Sequence, residues 1–200
     1  MRGARLAAAL LLIATVLERP AVAPAAERLA DPIRAFVEGY DPSGNDFLAN
    51  VPERTVLFRI SADLDGDGRP DLAVSDSSTW GNAGGQWLLF RAQPDGTYAY
   101  WGTLFFSPGA AVSRALAPSG GELTVYVRTG ASRGSLATHW LDAGGITRAT
   151  ETTLDLERPS DRARYEATFA PGRGLPVEHC KLLEYRRDPL NCWRPGLGLR

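Results

Sequence analysis

Short segments in which apolar and polar side chains alternate fill the chain from residue 55 to residue 156. In the segment ELTVYVR, Leu123, Val125 and Val127 fall on one face of a β-strand, and the residues between them fall on the other face. Segments of this kind predict strands at residues 55–61, 71–76, 86–93, 97–106, 122–128, 135–141 and 146–156. Most connections are short, and parallel strands need long crossovers. We therefore expect a mainly β fold, an antiparallel meander that forms either a single blade or a sandwich.

The one helical pattern lies near the N-terminus, in residues 27–40. Asp31 suits the N-cap and Pro32 suits the first helical position, and apolar residues then recur at helical spacing in IRAFV. At the other end, residues 161–200 are rich in Arg, Pro and Gly and predict irregular structure.

The chain begins with the residue order of a secretory signal peptide. Two arginines precede the apolar run LAAALLLIATVL at residues 6–17, and the small-residue stretch AVAPAA follows at residues 21–26. The apolar run is shorter than the roughly 20 residues that span a bilayer. We expect cleavage near Ala25, which leaves one β-rich domain at residues 26–200. That domain would be periplasmic or secreted and not held in a membrane.

The charge pattern argues against one class of partner. Lys and Arg number 22, Asp and Glu number 23, and no block of like charges occurs. A nucleic-acid-binding protein would show a basic patch, so no nucleic-acid partner is expected.

Cys180 and Cys192 are the only cysteines in the chain. An even number of cysteines at short spacing in an exported protein indicates a disulfide. The disulfide would tie down the C-terminal segment. The alternative is two free thiols or a thiol nucleophile at Cys180 beside His179, and the nucleophile would need a nearby base or cation to activate it.

One motif carries specific chemistry, the segment ADLDGDGRPDLAV at residues 62–74. Its aspartates occupy loop positions 1, 3, 5 and 9, as Asp63, Asp65, Asp67 and Asp71. Gly68 permits a sharp turn, and the carbonyl of Arg69 would add a backbone oxygen. Calcium takes about six to eight oxygen ligands at flexible angles, so the pattern predicts a calcium site.

Two other interpretations of this loop stay open. Asp-Gly is a common turn dipeptide, so the segment could be a solvated acidic turn, although this does not account for Asp63 and Asp71 at the outer positions. Paired carboxylates could also serve catalysis. Without a cation, two carboxylates about 5 Å apart repel by roughly 3 kcal/mol at an effective dielectric constant near ~20, which favours the metal.

The loop is not an EF-hand, because its twelfth position is Val74, where an EF-hand has a glutamate. It resembles the calcium-binding hairpin loop of FG-GAP and VCBS-type repeats, which occur in integrin-α-like propeller blades. The resemblance implies that the four aspartates and the carbonyl of Arg69 are metal ligands. It covers a single copy, and a chain of this length cannot close a propeller of four-stranded blades.

The tryptophans suggest a second candidate site. Trp80 and Trp193 are expected to be exposed and form a candidate ligand surface. Trp87, Trp101 and Trp140 lie within apolar strands and are assigned to the core.

No catalytic residue is predicted. His139 and His179 are the only histidines, and no nucleophile elbow, zinc-protease or phosphate-loop motif occurs. The chain is therefore expected to be an exported, calcium-stabilised, non-catalytic β module that binds a protein or a glycan. The alternative is a small exported hydrolase with a structural calcium. A histidine paired with a carboxylate in a concave cluster would favour the hydrolase, and an aromatic patch near Trp80 would favour the binding module.

Overall fold

The computed structural model describes residues 27–44, 55–116 and 120–196, so the predicted signal peptide lies outside the described residues. The fold is mainly β, as predicted. Its elements are β1 (Arg28–Leu29), α1 (Pro32–Val37), β2 (Val56–Ala62), β3 (Asp71–Asp76), β4 (Gly85–Ala92), β5 (Tyr98–Phe106), β6 (Ala111–Ala115), β7 (Gly121–Arg128), β8 (Arg133–Asp142), β9 (Gly145–Asp155), α2 (Pro159–Thr168), β10 (Glu178–Lys181), α3 (Leu182–Arg187) and β11 (Arg194–Pro195).

The strands form two antiparallel sheets. The first sheet has seven strands in the order β1-β5-β4-β3-β2-β10-β11, and the second has four in the order β6-β7-β8-β9. Side chains from both sheets meet in one buried cluster, with Phe58 and Trp87 from the first sheet and Leu123 and Leu141 from the second. The meander is therefore a two-sheet sandwich and not a single blade.

Helices cover the outer faces of the sandwich. On the first sheet, Phe36 of α1 and Leu182 of α3 join a buried cluster with the two cysteines. On the second sheet, Tyr165 of α2 packs edge-on against Tyr126, with ring centroids 4.9 Å apart. No helix within the described ranges is long and apolar enough to cross a membrane.

The seven predicted strands are all present, and β3 has the predicted bounds. The N-terminal helix is shorter than predicted because Arg28 and Leu29 pair with β5 as an edge strand. Its N-cap is confirmed, since the Arg34 amide donates to Asp31 Oδ1 at 3.0 Å. The alternating pattern missed β6, which is only five residues long.

The C-terminal segment is more ordered than the sequence suggests, because it holds α2, α3 and two short strands. α2 has no buried residue, so its sequence lacks the apolar stripe that marks a helix. The Cys180–Cys192 disulfide is confirmed, with a Cα–Cα distance of 5.4 Å. It indicates an oxidising, extracytoplasmic compartment.

One contact joins the two sheets where the β2–β3 loop meets the turn before β7. The Gly120 amide donates to the carbonyl of Asp65 at 2.7 Å, and the side chain of Leu64 is buried in the cluster between the sheets. A Cβ atom at Gly121 would lie 1.7 Å from the carbonyl oxygen of Leu64. Only glycine fits here, so we name this contact the sheet joint.

We expect Gly121→Ala to lower the free energy of unfolding by about 1–3 kcal/mol, the usual cost of overpacking. Gly81→Ala is the matched control, because a Cβ there would have nothing within 4 Å. Urea unfolding of both variants measures the difference. Equal stability of the two variants would contradict the close approach of the backbones.

We expect reduction of the disulfide to lower the free energy of unfolding by about 3 kcal/mol, since the closed loop is short. For a chain of this size the melting temperature should fall by about 6–12 °C, at roughly 2–4 °C per kcal/mol. The double variant Cys180→Ala/Cys192→Ala should melt at one temperature with and without reductant. A wild-type melting temperature that does not respond to reductant would rule out this contribution.

Candidate metal site

The aspartate loop connects β2 and β3 and begins directly after their last backbone pair, Ala62 with Asp71. Asp63, Asp65 and Asp71 each bring a carboxylate oxygen to one point, where the three atoms lie within 4.8 Å of one another. Asp65 and Asp71 are buried, with 1% and 0% of their surface exposed, whereas Asp63 is exposed. The group of oxygens is therefore buried on the side of Asp65 and Asp71 and open to solvent on the side of Asp63.

Asp71 ties the loop to the neighbouring strands. Its two carboxylate oxygens accept hydrogen bonds from the amides of Leu64 and Ala92, each at 2.9 Å. Burial is the main cause that raises the pKa of Asp71 to about 6. The two amide hydrogen bonds oppose the rise, and the charges of Asp65 and Asp67 add to it.

Arginines neutralise part of the negative charge of the loop. Arg91 from β4 donates through Nε to Asp65 Oδ2 at 2.6 Å, and its Nη2 lies 3.6 Å from Asp67 Oδ2. The guanidinium of Arg69 also pairs with Asp67. Four carboxylates thus face two guanidinium groups, and the loop keeps a net negative charge when every carboxylate is ionised.

Asp67 differs from the other three predicted ligands. Its carboxylate accepts from the amide and guanidinium of Arg69, while its own amide donates to Asp63 Oδ1 at 3.1 Å and Asp65 Oδ1 at 3.2 Å. The structure therefore brings together three of the four predicted carboxylates, and Asp67 supports them through its backbone. The role of the Arg69 carbonyl as a ligand stays a prediction.

These oxygens suit a hard cation. Carboxylate oxygens are the usual ligands of calcium and magnesium, whereas zinc prefers nitrogen and sulfur ligands at structural sites. The curled backbone holds Asp63 in place, because the Gly68 amide donates to its Oδ2 at 3.0 Å. The geometry can bind a divalent cation at the sheet joint.

The two tryptophans of the candidate ligand surface lie on opposite faces of the first sheet. Trp80 stacks on Phe58 with ring centroids 4.0 Å apart, in the cluster between the sheets. Trp193 packs against the outer cluster of the first sheet, with the guanidinium of Arg59 4.3 Å from its ring centroid. Both are half-buried, and they do not form one surface.

The prediction that Trp140 belongs to the core is wrong, because 46% of its surface is exposed. Its neighbours His139 and Leu141 are buried, so the pleat turns Trp140 outward. Trp87 is fully buried as predicted, and Trp101 is half-buried, with its indole N–H donating to the carbonyl of Asp142 at 2.8 Å.

The two histidines lie in different sheets, His139 in β8 and His179 in β10, and so do not share a site. Burial is the main cause that lowers the pKa of His139. The charge of Arg148 lowers it further and that of Glu151 opposes this.

No protein-family model matches the chain, and no curated protein or solved structure is significantly similar to it. Its function must therefore be argued from the site.

The lowered pKa of His139 predicts that this residue destabilises the fold in mild acid, whereas the raised pKa of Asp71 acts in the opposite direction. The unfolded chain binds this proton more readily than the folded one, so the contribution of neutral His139 is present above about pH 6.5 and is lost as the pH falls through the folded-state pKa. We expect wild type to lose more free energy of unfolding between about pH 8 and pH 5 than His139→Gln. His179→Gln is the control and should behave as wild type. Equal losses in wild type and His139→Gln would contradict the prediction.

Proposed function

We propose that this protein is an exported, non-catalytic β-sandwich module that calcium stabilises through its aspartate loop, and that it binds a protein or glycan partner outside the cytoplasm. The observation that supports the calcium most strongly is the convergence of carboxylate oxygens from Asp63, Asp65 and Asp71 within 4.8 Å of one another.

Repulsion between the two buried carboxylates supports the presence of a bound cation. At a separation of 4.8 Å or less, Asp65 and Asp71 repel by about 3 kcal/mol at an effective dielectric constant near ~20. Arg91 offsets part of this repulsion, and a divalent cation would offset the remainder. Because the loop joins two strands and also contacts Gly120, a bound cation would stabilise the hairpin and the sheet joint together.

Calcium fits this loop better than magnesium does. Magnesium requires nearly ideal octahedral geometry and gives up its waters reluctantly, while calcium accepts irregular oxygen sites. The aspartate spacing that resembles FG-GAP and VCBS-type loops supports the same choice. That resemblance suggests a structural role for the ion, in which it is neither consumed nor transferred.

The compartment supports the proposal as well. The disulfide indicates an oxidising environment, and residues 1–25 have the order of a signal peptide. Extracellular calcium modules bind the ion with dissociation constants of about 10⁻⁴ to 10⁻³ M. We therefore place the protein in the periplasm or outside the cell.

A binding role is preferred over the hydrolase alternative because of where the histidines lie. His139 of β8 is buried. His179 of β10 lines a cavity with Glu184, but its Nδ1 lies 3.1 Å from the carbonyl oxygen of Gly196, so this nitrogen is engaged by the backbone and not by the carboxylate that would favour a hydrolase. An aromatic ring is instead exposed on a strand, as Trp140.

We expect calcium to raise the melting temperature of wild type by about 5–10 °C. A hundredfold excess over the dissociation constant adds about 2.7 kcal/mol, at roughly 2–4 °C per kcal/mol. Asp63→Asn should lose most of this shift while still folding, because the side chain is exposed and its amide oxygen can still accept one of the two backbone hydrogen bonds of the carboxylate. Thermal melting in calcium, magnesium and chelator measures the shifts.

Asp142→Asn is the matched control, since Asp142 also accepts a backbone amide in a turn, that of Gly144 at 2.7 Å. It should keep the full calcium shift. Asp67→Asn should keep more of the shift than Asp63→Asn, because Asp67 lies outside the group of three oxygens. Equal melting temperatures of wild type in calcium and in chelator would show that the loop is only an acidic turn.

A further inference from the structure

A row of three side chains crosses the outer face of the second sheet. Arg114 of β6 pairs in register with Glu122 of β7, and Glu122 pairs with Trp140 of β8. Directly opposed residues on adjacent strands point to the same face. The guanidinium of Arg114 also bonds the carboxylate of Glu122, so a charged pair lies beside an exposed indole.

A groove adjoins this row where the C-terminal half of α2 crosses the sheet. It has a volume of about 470 Å³. Its lining includes Arg114, Glu122, Thr124, Arg164, Thr168 and Arg173. Trp140 lies next to the groove through its pairing with Glu122.

The groove carries an excess of positive charge. Its one carboxylate, Glu122, is already paired with Arg114. Within the described part of the chain, Arg164 and Arg173 form no ion pair. Arg173 uses Nη1 to donate to the carbonyl of Ala167 at 3.0 Å, which leaves its other donors available. Two guanidinium groups can therefore receive an anion.

Hydroxyl groups complete the polar lining. Thr124 shares a hydrogen bond with Thr138 on the neighbouring strand at 3.0 Å, and the Thr168 hydroxyl donates to the carbonyl of Arg164 at 2.8 Å. Each hydroxyl oxygen keeps acceptor capacity. Donors, acceptors and an exposed aromatic ring thus occur together on one face.

We propose that this groove, together with Trp140, binds an acidic oligosaccharide whose sugar rings carry carboxylates, as in uronic acids. The apolar face of a sugar ring packs on an indole, which combines a large apolar body with a polar tip. Guanidinium groups recognise carboxylates through paired N–H donors. The inference goes beyond the calcium-stabilised fold, because none of these residues belongs to the aspartate loop.

Other anionic polymers fit less well. A nucleic acid needs many phosphate contacts along a basic surface, and the groove offers two unpaired cations in a chain whose net charge is −1. An extended peptide would add to a sheet edge through backbone hydrogen bonds. The groove reaches the edge strand β6, but its charged side chains come from two strands, α2 and the segment that follows α2, and suit a ligand that is bound through side chains.

The experiment is calorimetric titration of the full exported chain with a short oligogalacturonate, compared with its methyl ester, in chelator. Chelator prevents calcium from bridging the sugars and separates this result from the calcium proposal. The test variants are Trp140→Ala and Arg164→Gln. The matched controls are Phe105→Ala, another exposed aromatic at 40%, and Arg187→Gln, an exposed arginine on α3. Thermal melting verifies that each variant is folded.

We expect the oligogalacturonate to bind wild type and the methyl ester to bind at least about tenfold more weakly. Each test variant should weaken binding by about five- to tenfold, in line with a charge-assisted or aromatic contact, and the controls should leave it unchanged. The inference is overturned by no binding at millimolar concentration, by equal binding of the ester, by equal losses in the controls, or by tighter binding of a single-stranded oligonucleotide or an acidic peptide.

Discussion

The fold depends on two buried carboxylates, those of Asp65 and Asp71, which accept hydrogen bonds from backbone amides in and beside one loop. A buried polar group without a partner destabilises a protein by about 1–3 kcal/mol, and Asp71 avoids this penalty by accepting the amides of Leu64 and Ala92. This arrangement directs the Leu64 side chain into the core between the sheets. It also presents the Asp65 carbonyl to Gly120. The loop is thus one of the places at which the two sheets are held together.

A cation bound by the aspartate loop would link metal binding to the assembly of the sandwich. A cation held by the aspartates would act on the sheet joint directly, because Asp65 contributes both a carboxylate to the loop and a carbonyl to Gly120. Glu122, which lines the groove on the outer face, follows Gly121 by one residue. The contact between Gly120 and Asp65 therefore lies close in sequence to a groove residue of the second sheet.

Side-chain alternation predicted most of the first and second sheets because it depends on local geometry that each strand determines for itself. The Asp31 N-cap was predictable for the same reason. Alternation does not tell which face is inside, and the assignment of Trp140 to the core failed on that point. Trp80 follows a strand and folds back onto Phe58. Trp140 lies on the outer face of the second sheet, on the part that α2 does not cover.

In the candidate metal site, too, the sequence predicted the features that depend on neighbouring residues and missed those that depend on other parts of the chain. The spacing of the aspartates predicted where the carboxylates lie along the backbone, and three of them converge. It did not predict Asp67, whose carboxylate pairs with Arg69. Nor did it predict Arg91, which reaches Asp65 from a different strand and is 26 residues away in sequence. A carboxylate can accept more than one partner, so Asp65 can keep Arg91 and still bind a cation. The arginine would then weaken the attraction of the loop for the ion. In the absence of the ion it would limit the repulsion between the carboxylates. Both effects favour a site that would fill at the calcium concentrations outside the cell and a sandwich that would stay folded without the ion.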